Sequence, residues 1–240
     1  MRLAIAAVLA CAACAFDAPL AQVSFGVRAG GVLRDASMPL VVTTAQGWRV
    51  TLSAAEVSVG PMYFRNGASG VGTDQDDGRV VAEVLPAFTV DALAPSLVDV
   101  PGGGRGSTEA ARNADVRLVE AEDGAVANAA GADVAVAHVA GTAERGTVRV
   151  AFDASLTLPA GGAGSDYAAA LSRRVLHIPV AFTPASGGAL TLRVDPTHWL
   201  DAVAFDDTGE APDFSARAPA TQLLAGVASG ASYVFTWEAR

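Results

Sequence analysis

The chain of 240 residues contains no lysine, and all 16 of its basic residues are arginine. The absence of lysine excludes a phosphate-binding loop ending in Gly-Lys-Ser/Thr, a Schiff base to pyridoxal phosphate and a catalytic Ser–Lys pair. Isoleucine and asparagine are also scarce, whereas Ala, Gly, Val and Arg are abundant. This bias is typical of a GC-rich genome.

Cysteine is limited to Cys11 and Cys14. The chain beyond them therefore has no disulfide, no zinc–thiolate site and no cysteine nucleophile. With 51% hydrophobic and 17% charged residues, it can still bury a sizeable core. The net charge of −9 argues against nucleic acid as a partner and against adhesion to anionic lipid through a basic patch.

The N-terminus has the features of an export signal. Arg2 precedes a short apolar run that ends at Cys11, and this run is shorter than the roughly 20 residues of a membrane-spanning helix. Val8-Leu9-Ala10-Cys11 resembles a bacterial lipobox. We therefore expect residues 1–21 to be a signal and tether, with lipid on Cys11 as the contact with the membrane. Lipid on Cys14, or cleavage near Ala21 without lipid, are the alternatives.

From residue 22 onward the hydrophobic pattern has a period of two, which indicates β-strands. The clearest strand is 147–158, with 133–139 as its expected partner. The pattern predicts an all-β fold, an antiparallel β-sandwich forming a single domain over 22–240. The other predicted strands are 23–28, 38–44, 48–59, 79–85, 115–120, 175–183, 190–194 and 233–237.

Three local signals refine this prediction. The slip in alternation at Ala54-Ala55 indicates a β-bulge. Asp195-Pro196 and Pro219 are expected to open one or two short helices in the C-terminal third. The glycine-rich segments 101–108 and 159–165 are interpreted as loops within the domain, with a division into two lobes as the alternative.

A histidine pair is the best candidate for a metal site. A hairpin centred on Gly187 would place residues 194–198 alongside 176–180, which would bring His177 near His198. Imidazole and thioether ligands suit copper, so Met62 or Met38 could complete the site. The alternative is two unrelated histidines.

Other chemistry has weaker signals. Asp74, Asp76 and Asp77 resemble a compressed calcium loop but lack its full spacing, and such residues also favour turns for conformational reasons. The chain has no Gly-x-Ser-x-Gly elbow. A Ser–His–Asp triad stays open because its members need not be adjacent in sequence. No catalytic residues are assigned.

Two blocks, 47–64 and 192–200, resemble segments of uncharacterised exported lipoproteins from GC-rich bacteria. The two blocks together comprise 27 of the 240 residues. The resemblance implies an exported, lipid-tethered protein of the cell envelope, periplasmic or attached to the outer membrane, and it implies no activity. The leading expectation is a non-enzymatic protein with a binding or structural role. A periplasmic copper-binding protein is the first alternative, and a hydrolase with an unrecognised site is the second.

Overall fold

The computed structural model describes residues 21–35, 38–67, 78–118, 134–158, 174–206 and 208–239. In this part of the chain, thirteen strands and one α-helix, α1 (Arg217–Val227), follow one another. The strands are β1 (Gln22–Gly31), β2 (Leu40–Thr43), β3 (Arg49–Arg65), β4 (Val80–Val84), β5 (Phe88–Asp91), β6 (Val98–Asp99), β7 (Gly104–Ser107), β8 (Ala111–Leu118), β9 (Val134–Arg145), β10 (Val148–Leu158), β11 (Arg174–Phe182), β12 (Ala189–Val194) and β13 (Tyr233–Glu238).

The strands are joined in one strongly curled sheet, in the order β10-β9-β3-β4-β7-β1-β12-β13. β2 and β5 also pair with β3, β6 pairs with β1, and β8 links β3 to β11. The pairs among the described strands are antiparallel, with the exception of β1 with β12. The predicted all-β fold with a short helix near the C-terminus is confirmed, whereas a sandwich arrangement is not.

The 17-residue strand β3 is the spine of this sheet. Its first half pairs with β9, and its second half pairs with β8 on one edge and β4 on the other. The partner changes between Val57 and Val59. The register with β8 then shifts across Gly60-Pro61, where proline offers no N–H to the ladder. Gly60 has φ 121°, and a Cβ there would lie 2.4 Å from the carbonyl oxygen of Pro86, so only glycine fits.

Five aromatic rings fill the concave side of the curl. Phe182 on β11 stacks on Trp237 on β13 with ring centres 5.1 Å apart, although these two strands are not paired. Phe64 meets Phe182 and Phe235 edge to face, and Phe25 meets Trp237 in the same way. Edge-to-face and offset contacts are the favoured aromatic geometries, so these rings hold the ends of the sheet together.

The C-terminal segment covers the other half of the sheet. Phe205 lies between Trp48 and Phe152, at ring-centre distances of 5.6 and 5.4 Å. Tyr233, which is fully buried, donates a hydrogen bond of 2.9 Å to the carbonyl oxygen of Val227 at the end of α1. Burial raises the pKa of the Tyr233 hydroxyl well above its ordinary value, so this hydroxyl stays a donor.

Most of the predicted strands are present, with shifted ends. β9 and β10 pair as expected, and the register shift between Leu52 and Ala54 confirms the predicted bulge in β3. The helix expected at Pro219 is α1, in which Leu223 and Val227 are buried. Sequence patterns missed β5, β6 and β7, which have at most four residues each.

Two local predictions were wrong. The segment expected to form a helix after Asp195 is a run of turns. The side chain of Asp195 accepts the N–H of Thr197, and each backbone hydrogen bond that follows joins an N–H to the carbonyl oxygen three residues earlier, as in turns, and not four residues earlier, as in an α-helix. The glycine-rich loop predicted at 101–108 contains β7, a strand inside the sheet. There, a Cβ on Gly104 would lie 2.2 Å from the ring of Phe25, so glycine marks a close approach. The segment 159–165 lies outside the described residues.

The contact between α1 and the turns before it yields a stability prediction. A Cβ on Gly226 would lie 2.3 Å from the carbonyl oxygen of Trp199 and 2.5 Å from its Cα. We expect Gly226→Ala to lower the free energy of unfolding by about 2 kcal/mol, although alanine favours helix. Urea denaturation measures this change.

The matched control is Gly26→Ala, because the nearest atom to its Cβ would be 3.8 Å away. The free energy of unfolding of this control should lie within about 0.5 kcal/mol of the wild-type value. Equal effects of the two substitutions would contradict the packing of α1 described here.

Candidate functional site

The hairpin that was expected to join the predicted metal ligands does not form. β11, which carries His177, pairs with β8, whereas β12 pairs with β1 and β13. His198 lies in the turns after β12, is exposed, and places Nδ1 2.7 Å from Oδ2 of Asp201. The prediction that strand pairing brings the two histidines together was therefore wrong. Their convergence on one copper ion stays a prediction.

The remaining predicted site residues are scattered. Met62 is fully buried on β3 between Val84 and Val116, and Met38 is 62% exposed. Asp74, Asp76, Asp77 and Cys11 lie outside the described residues. Among the residues that the structure does describe, no group of three or more His, Cys, Asp or Glu side chains could hold a metal ion.

A polar row crosses the convex side of the sheet, opposite the aromatic rings. The register places Arg105 on β7 beside Glu83 on β4, Glu83 beside Tyr63 on β3, and Tyr63 beside Asp115 on β8. Because side chains alternate along a strand, Tyr63 and Arg65 point away from the ring of Phe64. The four strands therefore present these polar residues on one face, and Arg105 and Glu83 pair at 2.6 Å.

Asp115 is the centre of this face. Its side chain is 1% exposed, and its Oδ2 accepts hydrogen bonds from Nε of Arg65 at 3.2 Å and from a terminal nitrogen of Arg174 at 2.9 Å. Arg65 also donates to the carbonyl oxygen of Gly78. Within the described part of the chain, Oδ1 of Asp115 is buried and has no hydrogen-bond partner. One carboxylate oxygen thus gathers two guanidinium groups.

A third arginine lies beside this pair. Arg117, exposed on β8, is directly across from Arg174 on β11 and lies 5.7 Å from the ring centre of Tyr63. Like charges directly opposite on antiparallel strands destabilise the pairing, and the contact with the tyrosine ring offsets part of this repulsion. We call Arg65, Arg117 and Arg174, with Asp115 between them, the arginine face.

His177 lies at an irregularity in the pairing of β11 with β8, next to the arginine face. The register passes from Val175 opposite Val116 to Ile178 opposite Ala114, so Leu176 and His177 together oppose Asp115. This β-bulge holds His177 at φ 58°, which costs a residue other than glycine about 1–2 kcal/mol. The bulge therefore brings His177 to a polar neighbourhood that no sequence signal indicated.

A second network borders the arginine face at the end of β3. Asn66 donates a hydrogen bond of 2.5 Å to Glu109, and Arg79 pairs with the same carboxylate. The hydrogen bond from Asn66, followed by that from Arg79, lowers the pKa of Glu109 below its ordinary value. Glu109 is therefore charged, and its carboxylate is hydrogen-bonded to Asn66 and Arg79.

A second polar row, centred on His138, crosses the other half of the convex side. Glu56 on β3 and Ser155 on β10 stand on either side of His138 on β9, and Nε2 of His138 lies 2.9 Å from Oδ1 of Asp153. A triad also needs a hydrogen bond between serine and histidine, and none joins Ser155 to His138 in the described residues. The hydrolase alternative stays a prediction.

Sequence reasoning missed the arginine face for a definite reason. Arg65 and Arg174 are separated from Asp115 by 50 and 59 positions, and only the pairing of β3, β8 and β11 unites them. The polar residues Arg112, Asn113 and Asp115 interrupt the apolar alternation of β8, so the first half of this strand was not predicted. A strand that buries charged and polar side chains has a sequence similar to that of a loop.

Comparisons of the chain with protein-family models, curated proteins and solved structures found no match. In the part of the chain that the structure describes, no helix is both long and apolar enough to span a membrane.

The buried carboxylate yields a second stability prediction. Asp115→Asn removes the buried carboxylate charge that Arg65 and Arg174 share, and breaking such a buried ion pair costs about 3 kcal/mol. We expect a corresponding fall in the free energy of unfolding, measured by urea denaturation at neutral pH.

Glu144→Gln is the control, because Glu144 pairs with two exposed arginines at 3.6 and 3.5 Å on the surface. Its effect should stay below about 1 kcal/mol. If Asp115→Asn were as mild as this surface control, Asp115 would not be what holds the arginines in place.

Proposed function

We propose that this protein is an exported, lipid-tethered protein of the cell envelope that acts by binding, with the arginine face as its binding surface. The observation that supports binding is the convergence of Arg65 and Arg174 on one oxygen of Asp115, beside the exposed Arg117. Guanidinium groups held in place by a carboxylate are preorganised donors. The tether is supported by the sequence around Cys11.

The sheet provides a rigid support for such a surface. The arginine face lies on three hydrogen-bonded strands, and Phe64 and Phe182 pack on the opposite side of β3 and β11. Binding residues on packed strands keep their geometry better than residues on loops. A ligand would therefore meet arginines that need little rearrangement, which lowers the entropic cost of binding.

The tether is tested by lipid labelling in a bacterial host. We expect the wild type to incorporate labelled fatty acid and to sediment with membranes, and Cys11→Ser to lose both properties, because the modified sulfur would be absent. Cys14→Ser is the matched control and should behave as the wild type.

A Cys11→Ser chain that still carries labelled fatty acid would refute the assignment of lipid to Cys11. A wild-type chain recovered without lipid and starting near residue 22 would refute the tether itself.

A further inference from the structure

We propose that β10 is a dimerisation edge, at which two copies of this chain pair their β10 strands antiparallel about a two-fold axis at Ala151. This inference goes beyond the binding role proposed above and does not depend on it. Among the strands that the structure describes, β10 lies at one end of the pairing order and forms a ladder with β9 alone. One edge of β10 therefore has no partner strand in this part of the chain.

The main chain of β10 directs the N–H and C=O groups of every second residue away from β9. Arg145 and Val148 flank the two-residue loop Gly146-Thr147, and residues in this position form a hydrogen-bonded pair. Hydrogen-bonded and non-hydrogen-bonded pairs then alternate along the ladder, whose register is constant as far as Leu156. The residues whose peptide groups face the free edge are therefore Arg149, Ala151, Asp153 and Ser155.

β10 lacks the features that usually protect an edge strand from pairing with another chain. Natural edges are shielded by bulges, by proline, by lysine or by inward-pointing charges. β10 contains no proline and no lysine, its charged side chains are exposed, and its register with β9 shifts only between Leu156 and Thr157. A regular edge of about 30 Å results, which favours the addition of a strand. A two-fold dimer covers the edges of both copies at once.

The charges along β10 select one register for this pairing. Arg149 and Asp153 are 73% and 76% exposed and lie on the same face of the strand. An axis at Ala151 places Arg149 of each copy directly opposite Asp153 of the other, and opposite charges across antiparallel strands stabilise the pairing. An axis at Arg149 or at Asp153 would instead place like charges opposite each other. Ala151 is small enough to lie opposite its own copy.

The contacts that these two charges make within their own chain leave them accessible. Nε of Arg149 lies 3.5 Å from the carboxylate of Glu144, and Oδ1 of Asp153 lies 2.9 Å from Nε2 of His138. Exposed ion pairs contribute at most about 1 kcal/mol. A second copy can therefore engage both side chains without breaking a buried contact.

An open groove beside β10 leaves space for the second copy. The groove has a volume of about 540 Å³ and is lined by residues of β10, among them Ser155 and Thr157, and by Pro212 and Phe214 of the C-terminal segment. In the two-fold register, Thr147 of the second copy lies opposite Ser155, so the hairpin loop of that copy enters the groove. Main-chain hydrogen bonds provide the affinity of such strand addition, and the side chains provide its specificity.

The test is sedimentation equilibrium of the full-length chain carrying Cys11→Ser and Cys14→Ser, which excludes lipid and disulfide-linked dimers. We expect this parent chain to form a reversible dimer at micromolar to millimolar concentration, because small interfaces are weak. Arg149→Asp and Asp153→Arg should each weaken the dimer about tenfold, since each places like charges opposite each other. An equimolar mixture of the two variants should dimerise as the parent does, because every opposing pair is then Arg with Asp.

Two further variants complete the test. Arg49→Asp is the matched control, because it changes the net charge as Arg149→Asp does but lies on β3, two strands from the edge. It should dimerise as the parent does. Ala151→Pro removes an N–H that faces the free edge, so it should abolish the dimer and leave the far-UV spectrum and melting temperature of the monomer unchanged.

The proposal is overturned if the parent chain stays monomeric at millimolar concentration, if the mixture of variants does not associate, or if Arg49→Asp weakens the dimer equally. Association through residues 1–21 would persist in all variants and would also refute it, as would growth beyond a dimer. A monomeric parent that Ala151→Pro destabilises would assign the edge to another segment of the same chain. A monomeric parent that Ala151→Pro leaves equally stable would assign it to a different partner.

Discussion

The change of partner along β3, next to Gly60-Pro61, is the constraint on which the rest of the structure depends. One strand of 17 residues pairs with β9 as far as Val57 and with β8 from Val59 onward. Because the edge is divided, β9–β10 and β8–β11 become separate branches, and the sheet can curl until β11 packs against β13.

This division gives each half of the sheet its own core. The rings around Phe64 and Trp237 fill the curl, while Trp48 and Phe152 pack against Phe205 of the C-terminal segment. The chain has no cysteine beyond Cys14, so apolar burial and aromatic contacts, and not disulfides, hold the two halves together. The C-terminal segment is therefore a structural part of the domain, as the close approach of Gly226 to Trp199 shows.

The sequence predicted strands correctly where buried and exposed side chains alternate along the strand. β10, with its regular pattern, could be predicted almost to its ends, and so could its pairing with β9. β7 could not, because Gly104 and Gly106 occupy strand positions for the sake of close packing, and glycine in a sequence indicates a loop. The parallel pairing of β1 with β12 depends on contacts more than 160 residues apart, which no local pattern encodes.

The candidate site could not be predicted for the same reason. His177 and His198 were singled out because they are rare residue types, and the expected hairpin was the only route to bring them together. The arginines drew no attention because arginine is the only basic residue in this chain, so its type carries no signal. What distinguishes Arg65 and Arg174 is their shared partner, and a partner is a property of the fold.

The arginine face also bears on why a buried charge is kept in a β-sheet. An ion pair of this kind stabilises a fold little compared with apolar side chains of the same volume, since both groups lose hydration. Asp115, Arg65 and Arg174 together occupy a sheet face where apolar residues would pack more simply. The bulge at His177 and the repulsion between Arg117 and Arg174 add further cost at the same place. Several unfavourable features therefore coincide on three adjacent strands, and burial of apolar surface does not account for them.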